Sequence, residues 1–381
     1  MLLCIWLLRA TGAKLLVGIE EHRVDEILDQ VLATLDQVTR NINVFTTLRR
    51  AEPHAAQVVQ LGRVVIGILD GAGSISAMRK LDGVLFVEKD RPIRAASLLI
   101  QPDPPSYGLE RVSSRHVLPD PGYTFDSSAG SGVDVYVLDS GIYDEHEDFE
   151  NRAFKGKNFV VDEDDTDLYG HGTHVAGTVA GKDYGVAKNA RVFGVKILNR
   201  KGEGTISLAV RAIGYVIKQK EITGRKSIIN LSLAGGISRS LNVAVEQAAS
   251  KHDIPVIVAA GNQHMDACQS SPASASNVLS VGNVDQNNQI TRTSNFGSCV
   301  SLFAPGAQII SASSLDKSGS RILSGTSMAA PHVAGVAALF WSQEPNLTCE
   351  ELYRLIKQKA TKDILTGIPA STPNLMAFNQ L

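Results

Sequence analysis

The sequence contains no apolar run of the roughly 20 residues that a membrane-spanning helix needs. It also lacks an excess of one charge: the formal net charge of the 381 residues is -2, without any basic block. This pattern does not indicate nucleic acid or an anionic membrane surface as a partner. The four cysteines are too few for a disulfide scaffold. The 44% hydrophobic content is enough for a large core, so a large globular protein is expected.

The start of the chain has two interpretations. The apolar run MLLCIWLL is followed by Arg9 and the small residues Ala10-Thr11-Gly12, an order typical of a secretory signal peptide. No basic residue precedes the run, so residues 1–12 also fit a truncated start. Both alternatives stay open.

Cysteine spacing leaves two alternatives as well. Cys268 and Cys299 flank two predicted strands and form either one disulfide or two buried free thiols. In the first case Cys349 is left free.

Residues 14 to about 92 have the pattern of a small α/β unit. Apolar residues recur at helical spacing at Val24, Ile27, Val31 and Leu35. Strands are predicted at 14–19, 63–69 and 84–88, with a short helix at 74–81 and a turn at 71–73. The segment 93–107 then has no periodicity and contains the proline-rich sequence QPDPPSY. We interpret it as an extended, protease-accessible linker, with domains at 13–95 and 108–381 and the linker proper at 96–107.

The longer part of the chain alternates buried strands with helices. Strands are predicted at 133–138, 192–198, 228–233, 255–260 and 278–281. Their near-continuous Val, Ile and Leu content is typical of parallel strands covered on both faces. The alternation predicts an α/β fold with a doubly wound, mainly parallel sheet and helices on both faces. Active sites of such sheets lie at the carboxyl ends of the strands.

The stretch GTSMAAPHVAG, residues 325–335, places Ser327 at the start of a predicted helix. Its hydroxyl would be exposed and its N–H unpaired, with the positive end of the helix dipole behind both. This arrangement suits a nucleophile whose attack creates an oxyanion. A plain Ser/Thr helix cap is the alternative, and Pro331 is expected to be tolerated because it lies in or beside the first turn.

Three further residues fit the same chemistry. Asp139 ends the predicted strand VDVYVLD, where it either orients a histidine or forms an Asx turn. His171 opens GHGTHVAGTVAG; no HExxH glutamate accompanies it, so His174 is expected to be a structural, hydrogen-bonded histidine rather than a zinc ligand. Asn262 ends VIVAAGN, where its amide either donates to a developing oxyanion or terminates the strand.

Together these motifs resemble the subtilisin-like serine proteases, the subtilases. The motifs DSG, GHGTHVAGT, AAGN and GTSMAAPHVAG follow one another in the Asp…His…Ser order of that family. Finer similarity to the proteinase K branch lies in YGLERVSSR, YGVAKNARVFGVKIL, SPAS and PNLMAFN. The resemblance covers residues 100 to 381 almost end to end.

The resemblance implies a role for each residue. Ser327 attacks the scissile carbonyl, and His171 accepts its proton and passes it to the leaving amine. Asp139 orients the imidazole and stabilises its charged form. Asn262 and the Ser327 N–H form the oxyanion hole. No metal or organic cofactor takes part in the chemistry.

The resemblance also implies how the substrate binds. Two extended segments hold the peptide backbone between them by β-augmentation: Gly202, Glu203 and Gly204 in one, and Ser232, Leu233, Ala234 and Gly235 in the other. Ala234 stands where the family more often has glycine, which either narrows the first pocket or shifts the substrate slightly. The far wall of that pocket is implied to be Ala259, Ala260 and Gly261. The lid of a second pocket is implied to be Ile206. No acidic residue falls at the pocket base, so broad, apolar-leaning specificity is expected.

Family features outside the site carry further expectations. Cys268 and Cys299 match a disulfide of aqualysin-like relatives, which implies an oxidising compartment. The family's structural calcium site has a carboxylate where Ser301 stands, and a neutral hydroxyl is a poor ligand for a hard cation, so calcium is disfavoured there. The stretch VVIGILDGAGSISAMRKLDGVLFVEKD resembles the second half of the subtilase propeptide. The first domain is then a folding aid and intramolecular inhibitor, removed by cleavage near residues 98–100.

The sequence thus predicts a secreted, monomeric, self-processing serine endopeptidase acting on proteins and peptides. One alternative is a non-catalytic family member that binds a partner, against which the intact set of catalytic residues argues. Another is an esterase or acyl-transferring enzyme, which the peptide-binding segments make less favourable than proteolysis.

Overall fold

The structure, a computed structural model, describes residues 14–20, 23, 30, 57–61, 64–70, 75–89, 98–116 and 122–380. The chain divides into two units, Met1–Ala95 and Ala96–Leu381. In the described ranges, no helix combines the length and apolar character needed to cross a membrane. Several predictions fall outside these ranges: the segment 1–12, the turn at 71–73 and the helical residues Val24, Ile27, Val31 and Leu35.

The first unit contains a small antiparallel sheet. Its elements are β1 (Lys14–Glu20), β2 (Gln57–Leu61), β3 (Val64–Asp70), helix α1 (Ile75–Met78) and β4 (Val84–Lys89). The strands lie in the order β2-β3-β1-β4, and β1, β3 and β4 are the three predicted strands. Val17, Met78 and Val87 are buried and connect the sheet with the short helix. Strand β2 is not among the predicted strands, because QVVQL is too short for a clear alternating pattern.

Part of the predicted linker is a strand. Leu98–Gln101 (β5) pairs antiparallel with Tyr123–Asp126 (β6), and Gln101 Nε2 donates to the Asp183 carbonyl over 3.0 Å. Most of its side chains remain exposed, so main-chain pairing holds the strand. The prediction of a linker rested on the proline content of this segment. The strand that pairs with β5 is distant in sequence, so the local residue pattern could not reveal the pairing.

The second unit is organised around a nine-stranded sheet that is parallel except at one edge. The strands that follow β6 are β7 (Val133–Asp139), β8 (Ala153–Asn158), β9 (Arg191–Lys196), β10 (Lys226–Leu231), β11 (Gly235–Gly236), β12 (Val256–Ala259), β13 (Ser270–Ser271), β14 (Leu279–Val284), β15 (Leu302–Pro305), β16 (Ile309–Ala312), β17 (Ser320–Leu323), β18 (Thr361–Lys362) and β19 (Leu375–Met376). The large sheet has the order β18-β19-β15-β14-β12-β10-β7-β9-β8, while β11 pairs with β13 and β16 with β17. The doubly wound, mainly parallel sheet is confirmed.

Helices cover this sheet. They are α2 (Tyr107–Ser113), α3 (His171–Ala180), α4 (Ile206–Thr223), α5 (Arg239–Ser250), α6 (Thr326–Gln343) and α7 (Cys349–Lys359), with 3₁₀ turns at Glu147–Phe149 and Ala267–Gln269. Helix α3 packs against α6, and α4 packs against α5. Nearly all of α6 is buried, since alanine, glycine and valine dominate its sequence and allow close packing on the strands.

The sheet order brings the predicted functional segments together. Strands β12, β10 and β7 are neighbours, and they end at Ala259, Leu231 and Asp139. Because these strands are parallel, their carboxyl ends meet at the same edge, where open α/β sheets bind ligands. The predicted strands correspond to β7, β9, β10, β12 and β14. The short strands β15 to β19 were missed because each spans only a few residues between turns.

Candidate active site

Asp139 ends β7 with its carboxylate fully buried. Every residue of the strand is buried because β7 lies between β10 and β9 within the sheet. His171 Nδ1 lies 2.8 Å from Oδ1 and 2.9 Å from Oδ2 of Asp139. The main-chain N–H of Ser140 donates to Oδ1 over 2.7 Å. These hydrogen bonds offset the cost of burying the charge and hold the histidine ring against it.

His171 is the first residue of α3 and follows the cap residue Gly170. Because the group facing Nδ1 is a carboxylate, the neutral ring carries its proton on Nδ1 and offers Nε2 as an acceptor. Burial lowers the pKa of His171, but the charge of Asp139 and its hydrogen bond outweigh burial, so the pKa is raised. The arrangement is that of a base whose protonated form is stabilised.

Asp167, which the motifs did not single out, holds the start of α3. Its buried carboxylate accepts hydrogen bonds from Gly170 N over 2.7 Å, Thr173 N over 2.8 Å and Thr173 Oγ1 over 2.7 Å. It also accepts from Ser140 Oγ over 2.7 Å. A carboxylate is favourable here because a helix N-terminus presents unpaired N–H groups. Asp167 therefore ties the strand end that carries Asp139 to the helix that carries His171.

Ser327 lies in the first turn of α6, where main-chain N–H groups have no helical acceptor. Its hydroxyl donates to the Ser232 carbonyl over 3.1 Å, and within the described residues no hydrogen bond joins it to His171. Gly325, just before the helix, has a φ of +147°, where an L side chain is strained. A Cβ there would lie 3.3 Å from Asn262 Nδ2, so glycine keeps this space free.

Pro331 lies beyond the first turn of α6, at a position whose N–H would normally bond within the helix. The first-turn explanation given from the sequence is therefore wrong. Because proline has no N–H, the Ser327 carbonyl lacks its helical donor. Ser232 Oγ replaces that donor over 2.7 Å, and Asn230 Nδ2 donates to Ser232 Oγ over 2.9 Å. The end of β10 thus holds the peptide group of Ser327.

Asn262 is exposed just beyond β12, and its amide has a fixed orientation. Thr326 donates to Oδ1 twice, from its main-chain N over 2.9 Å and from Oγ1 over 3.0 Å. With Oδ1 occupied by Thr326, Nδ2 is the end of the amide that can donate to a ligand, and it lies 3.3 Å from the position of a Cβ on Gly325. A donor fixed in this way can stabilise an oxyanion without reorganising.

A cavity of about 480 Å³ lies between the two predicted substrate segments. His171 lines it, together with the predicted residues Gly202, Glu203, Gly204, Ile206, Ser232, Leu233, Ala234 and Gly235. Lining residues that the sequence did not indicate are Tyr169, Ile197, Leu198, Thr205, Ala209, Gly236, Leu241 and Ser271. Most of the bulky residues in this set are apolar, which gives the cavity an apolar interior.

Both substrate segments are held by hydrogen bonds within the protein. Gly235 pairs with Ser271 in the β11–β13 ladder. Asn199 Oδ1 accepts hydrogen bonds from Lys201 N over 2.9 Å and Glu203 N over 3.0 Å, which closes a turn around the other segment. The backbone facing the cavity is therefore positioned before any peptide binds.

Three predicted pocket residues do not line this cavity. Ala259 and Ala260 are buried, and the Ala260 carbonyl accepts a hydrogen bond from Asn295 Nδ2 over 2.9 Å. Gly261 N donates to Thr326 Oγ1 over 3.2 Å. This segment connects β12 with the start of α6 and supports Asn262 from behind.

Lys196 is a buried cation near the site that sequence reasoning also missed. Its Nζ donates to the Ser140 carbonyl over 2.8 Å and to the Leu198 carbonyl over 3.1 Å. Glu163 Oε2 lies 3.2 Å away and supplies the counter-charge. Lys196 therefore connects the end of β7 with the segment that leads to the cavity. In the sequence, the feature that could have indicated this role is a lysine at the end of a buried strand.

Two other histidines are structural. His174 Nε2 contacts the Ile309 carbonyl at 2.9 Å, and His332 Nδ1 contacts the Met328 carbonyl at 2.8 Å. Burial lowers the pKa of each to about 4, so both are neutral near pH 7. The described residues contain no group of three or more His, Cys, Asp or Glu side chains arranged to hold a metal ion. The structural interpretation of His174 is confirmed.

Cys268 and Cys299 form a disulfide, which decides between the two alternatives for these residues. Cys349 is a buried free thiol, and burial raises its pKa to about 12. Ser301, at the position of the family's calcium carboxylate, already accepts a hydrogen bond from Ser280 N over 3.2 Å and donates to the Val278 carbonyl over 3.4 Å. The donor set therefore does not fit calcium at this position.

The fold and this geometry define a class of protein. A buried aspartate orients a histidine at the carboxyl edge of a parallel sheet, and a serine begins a buried helix beside a fixed amide, as in serine hydrolases.

The comparisons with known proteins identify the family. The model of the Subtilase family matches residues 130–374. The chain is 43% identical to the subtilase-type proteinase psp3 of Schizosaccharomyces pombe, over 80% of this chain and 68% of that protein. It is 41% identical to cerevisin of Saccharomyces cerevisiae, over 80% of this chain and 51% of that protein, so it spans about half of cerevisin. The chain belongs to the subtilase family and is a serine endopeptidase.

A solved structure agrees with this assignment. A cold-adapted subtilisin-like serine proteinase superposes with a TM-score of 0.67 at 38% identity. The match covers 72% of this chain and 98% of that one. The sequence identity of this match is well above the level at which two proteins share only a fold. The match therefore supports both the subtilisin-like fold and the family assignment.

Proposed function

We propose that this subtilase is a secreted, self-processing serine endopeptidase in which Asp139, His171 and Ser327 form the catalytic triad. The observation that carries the proposal is the Asp139–His171 pair, with its 2.8 Å contact at the start of the helix bearing the histidine. It sets the tautomer that a general base needs and raises the pKa of the base.

The reaction begins when the Ser327 hydroxyl leaves the Ser232 carbonyl and turns toward His171 Nε2. Ser327 Oγ then attacks the scissile carbonyl while its proton passes to Nε2. Asp139 stabilises the imidazolium, and Asn262 Nδ2 with the Ser327 N–H receives the oxyanion. His171 then protonates the leaving amine, and a water repeats the sequence to release the acyl group. No metal or organic cofactor enters this scheme.

The substrate is a protein or peptide bound as an extended strand. The two segments that line the cavity offer exposed main chain on both sides, as β-augmentation requires. Ile206, Leu233 and Leu241 on the cavity wall support a broad, apolar-leaning specificity. Ala234 narrows the first pocket in comparison with a glycine.

The first unit acts as an intramolecular inhibitor until it is removed. Its sheet and the boundary at Ala95–Ala96 support a separate domain that ends close to the expected cleavage near residues 98–100. The Cys268–Cys299 disulfide supports secretion, since disulfides persist in oxidising compartments. The mature enzyme is proposed to be a monomer.

The test combines active-site labelling with mass determination. Wild type, Ser327→Ala and the matched control Ser318→Ala are treated with a fluorophosphonate probe, and the chain masses are recorded. Ser318 is exposed in the loop between β16 and β17, so its loss removes a serine hydroxyl without touching the site.

Wild type and Ser318→Ala are expected to label once and to shorten to a species beginning near residue 100, whereas Ser327→Ala stays full-length and unlabelled. If wild type neither labels nor shortens, the proposal fails, and a non-catalytic binding role replaces it. Labelling without peptide cleavage would instead indicate an esterase.

A further inference from the structure

Arg321 places a cation without a carboxylate partner beside His171. It is exposed on β17, and its Nη1 donates to the Tyr169 carbonyl over 3.3 Å. A Cβ on Gly170, the residue before His171, would lie 3.0 Å from the same nitrogen. No carboxylate in the described ranges forms an ion pair with this guanidinium. Because the Tyr169 carbonyl is a weak, neutral acceptor, most of the N–H donors of Arg321 remain available.

Nearby acidic groups are occupied by other partners. Asp167 is buried and accepts hydrogen bonds from the start of α3 and from Ser140. Glu145 pairs with Lys317 over 3.2 Å, and Asp316 accepts from Ser318 N over 3.0 Å. Within the described part of the chain, none of these acidic groups is therefore free to pair with Arg321, which makes a bound substrate the candidate source of its counter-charge.

The position of Arg321 indicates which part of a substrate meets it. Tyr169 and His171 line the cavity that holds the acyl side of the peptide, whereas Arg321 does not. A peptide leaving this cavity has to pass Ser327, and β17 ends at Leu323, shortly before Ser327 in the chain. Since His171 protonates the leaving amine, the leaving segment lies beside His171, where the Arg321 guanidinium also lies.

We propose that Arg321 selects substrates that carry aspartate or glutamate one or two residues after the scissile bond. This inference rests on the proposed function and adds a charge preference to its apolar-leaning specificity. Guanidinium and carboxylate match in geometry and pair with charge-assisted hydrogen bonds. Because the pair is exposed to water, the expected preference is about fivefold and decreases with salt.

The test uses internally quenched peptides of one sequence that differ only after the scissile bond: Asp, Asn, Glu, Gln or Lys at the first or second position. The values of kcat/KM are measured for wild type, Arg321→Gln and Arg321→Lys. Lys317→Gln is the matched control, because it removes an exposed cation from the loop between β16 and β17, away from His171.

Wild type and Lys317→Gln are expected to prefer Asp over Asn by about fivefold at low salt. The preference should disappear in Arg321→Gln and persist in part in Arg321→Lys. Arg321 also opposes Asp139 and Asp167 in setting the pKa of His171, with neutral His174 nearby. Arg321→Gln should therefore move the acidic limb of the pH profile to higher pH, which a purely structural role would not do.

Equal rates for Asp and Asn in wild type, or the same ratio in Arg321→Gln, would overturn this inference alone. If wild type cleaves none of the peptides, including the neutral Asn and Gln versions, the proposed function fails and this inference fails with it.

Discussion

Asn262 uses the two ends of its side-chain amide for different partners. Thr326 saturates Oδ1, so Nδ2 is held toward the space beside Gly325 without the freedom to turn around. An oxyanion donor is effective when its orientation is fixed before the reaction, since no reorganisation then accompanies charge development.

Replacing Asn262 with alanine is expected to lower kcat by about 10²–10³-fold with little change in KM, a magnitude carried over from the corresponding donor of subtilisin itself. The measurement is steady-state kinetics on a neutral peptide. Asn287→Ala is the matched control, because it removes an exposed asparagine amide from a turn outside the site and should leave kcat close to wild type. A loss expressed mainly in KM would contradict the oxyanion role.

The raised pKa of His171 predicts the acidic limb of the pH profile. Only the neutral ring can accept the Ser327 proton, so kcat/KM falls as the pH decreases through the pKa of His171. Asp139 raises that pKa above the ordinary value of 6.5, so the midpoint should lie above pH 6.5. In Asp139→Asn the counter-charge of His171 is lost, so both the value of kcat/KM and the midpoint of the acidic limb should fall. A midpoint below 6.5 in wild type would be inconsistent with the observed pair.

Among the elements, the start of α6 lacks one helical hydrogen bond, and a residue at the end of β10 supplies a replacement. Pro331 leaves the Ser327 carbonyl without a helical donor, and Ser232 at the end of β10 supplies one over 2.7 Å. The same serine accepts from buried Asn230. Because a helix and a strand distant in sequence share this contact, the nucleophile's backbone depends on sheet packing as well as on helix geometry.

A double-mutant cycle tests this coupling in the Ser327→Ala background, where self-digestion cannot interfere. Ser232→Ala should lower the free energy of unfolding by about 1–3 kcal/mol, since it leaves the partly buried Ser327 carbonyl and the buried Asn230 amide without this partner. With Pro331→Ala the helix regains an N–H for that carbonyl, so the cost of Ser232→Ala should be smaller. Urea unfolding provides both values. Equal costs in the two backgrounds would show that the proline is irrelevant to the contact.

At the scale of the whole molecule, the disulfide closes a loop near the site. Cys268 and Cys299 are separated by 31 residues, and the enclosed segment carries β14 of the large sheet and Asn295, which supports the residues before Asn262. Closing such a loop removes conformations from the unfolded chain, and the chain-entropy relation gives about 4 kcal/mol for this length.

Replacing Cys268 and Cys299 with serine in the Ser327→Ala background should therefore reduce the free energy of unfolding by about 4 kcal/mol in denaturant titrations. Reduction with dithiothreitol should destabilise the parent by a similar amount and leave the double variant unchanged. Cys349 serves as an internal check, because its buried thiol with a pKa of about 12 should react with a thiol reagent only after unfolding. Stability unaffected by reduction would refute the entropic role of this bond.

The family motifs, the parallel strands and the candidate catalytic residues can be read from the sequence, because residue type and spacing carry that information locally. It placed Asp139, His171, Asn262 and Ser327 at strand ends and a helix start, and the structure agrees. The predicted substrate-binding residues of the two extended segments line the cavity, whereas Ala259, Ala260 and Gly261 do not, because neighbouring strands bury this segment.

Contacts between groups that are distant in the sequence depend on the tertiary structure. Asp167 beneath His171, Ser232 beneath Ser327 and Arg321 beside Gly170 are contacts between segments that no local periodicity relates. The order of strands in the sheet and the direction of each side chain create these contacts. The reason is physical: burial of the strands sets where each segment ends in space, and the polar groups brought together there must then satisfy one another.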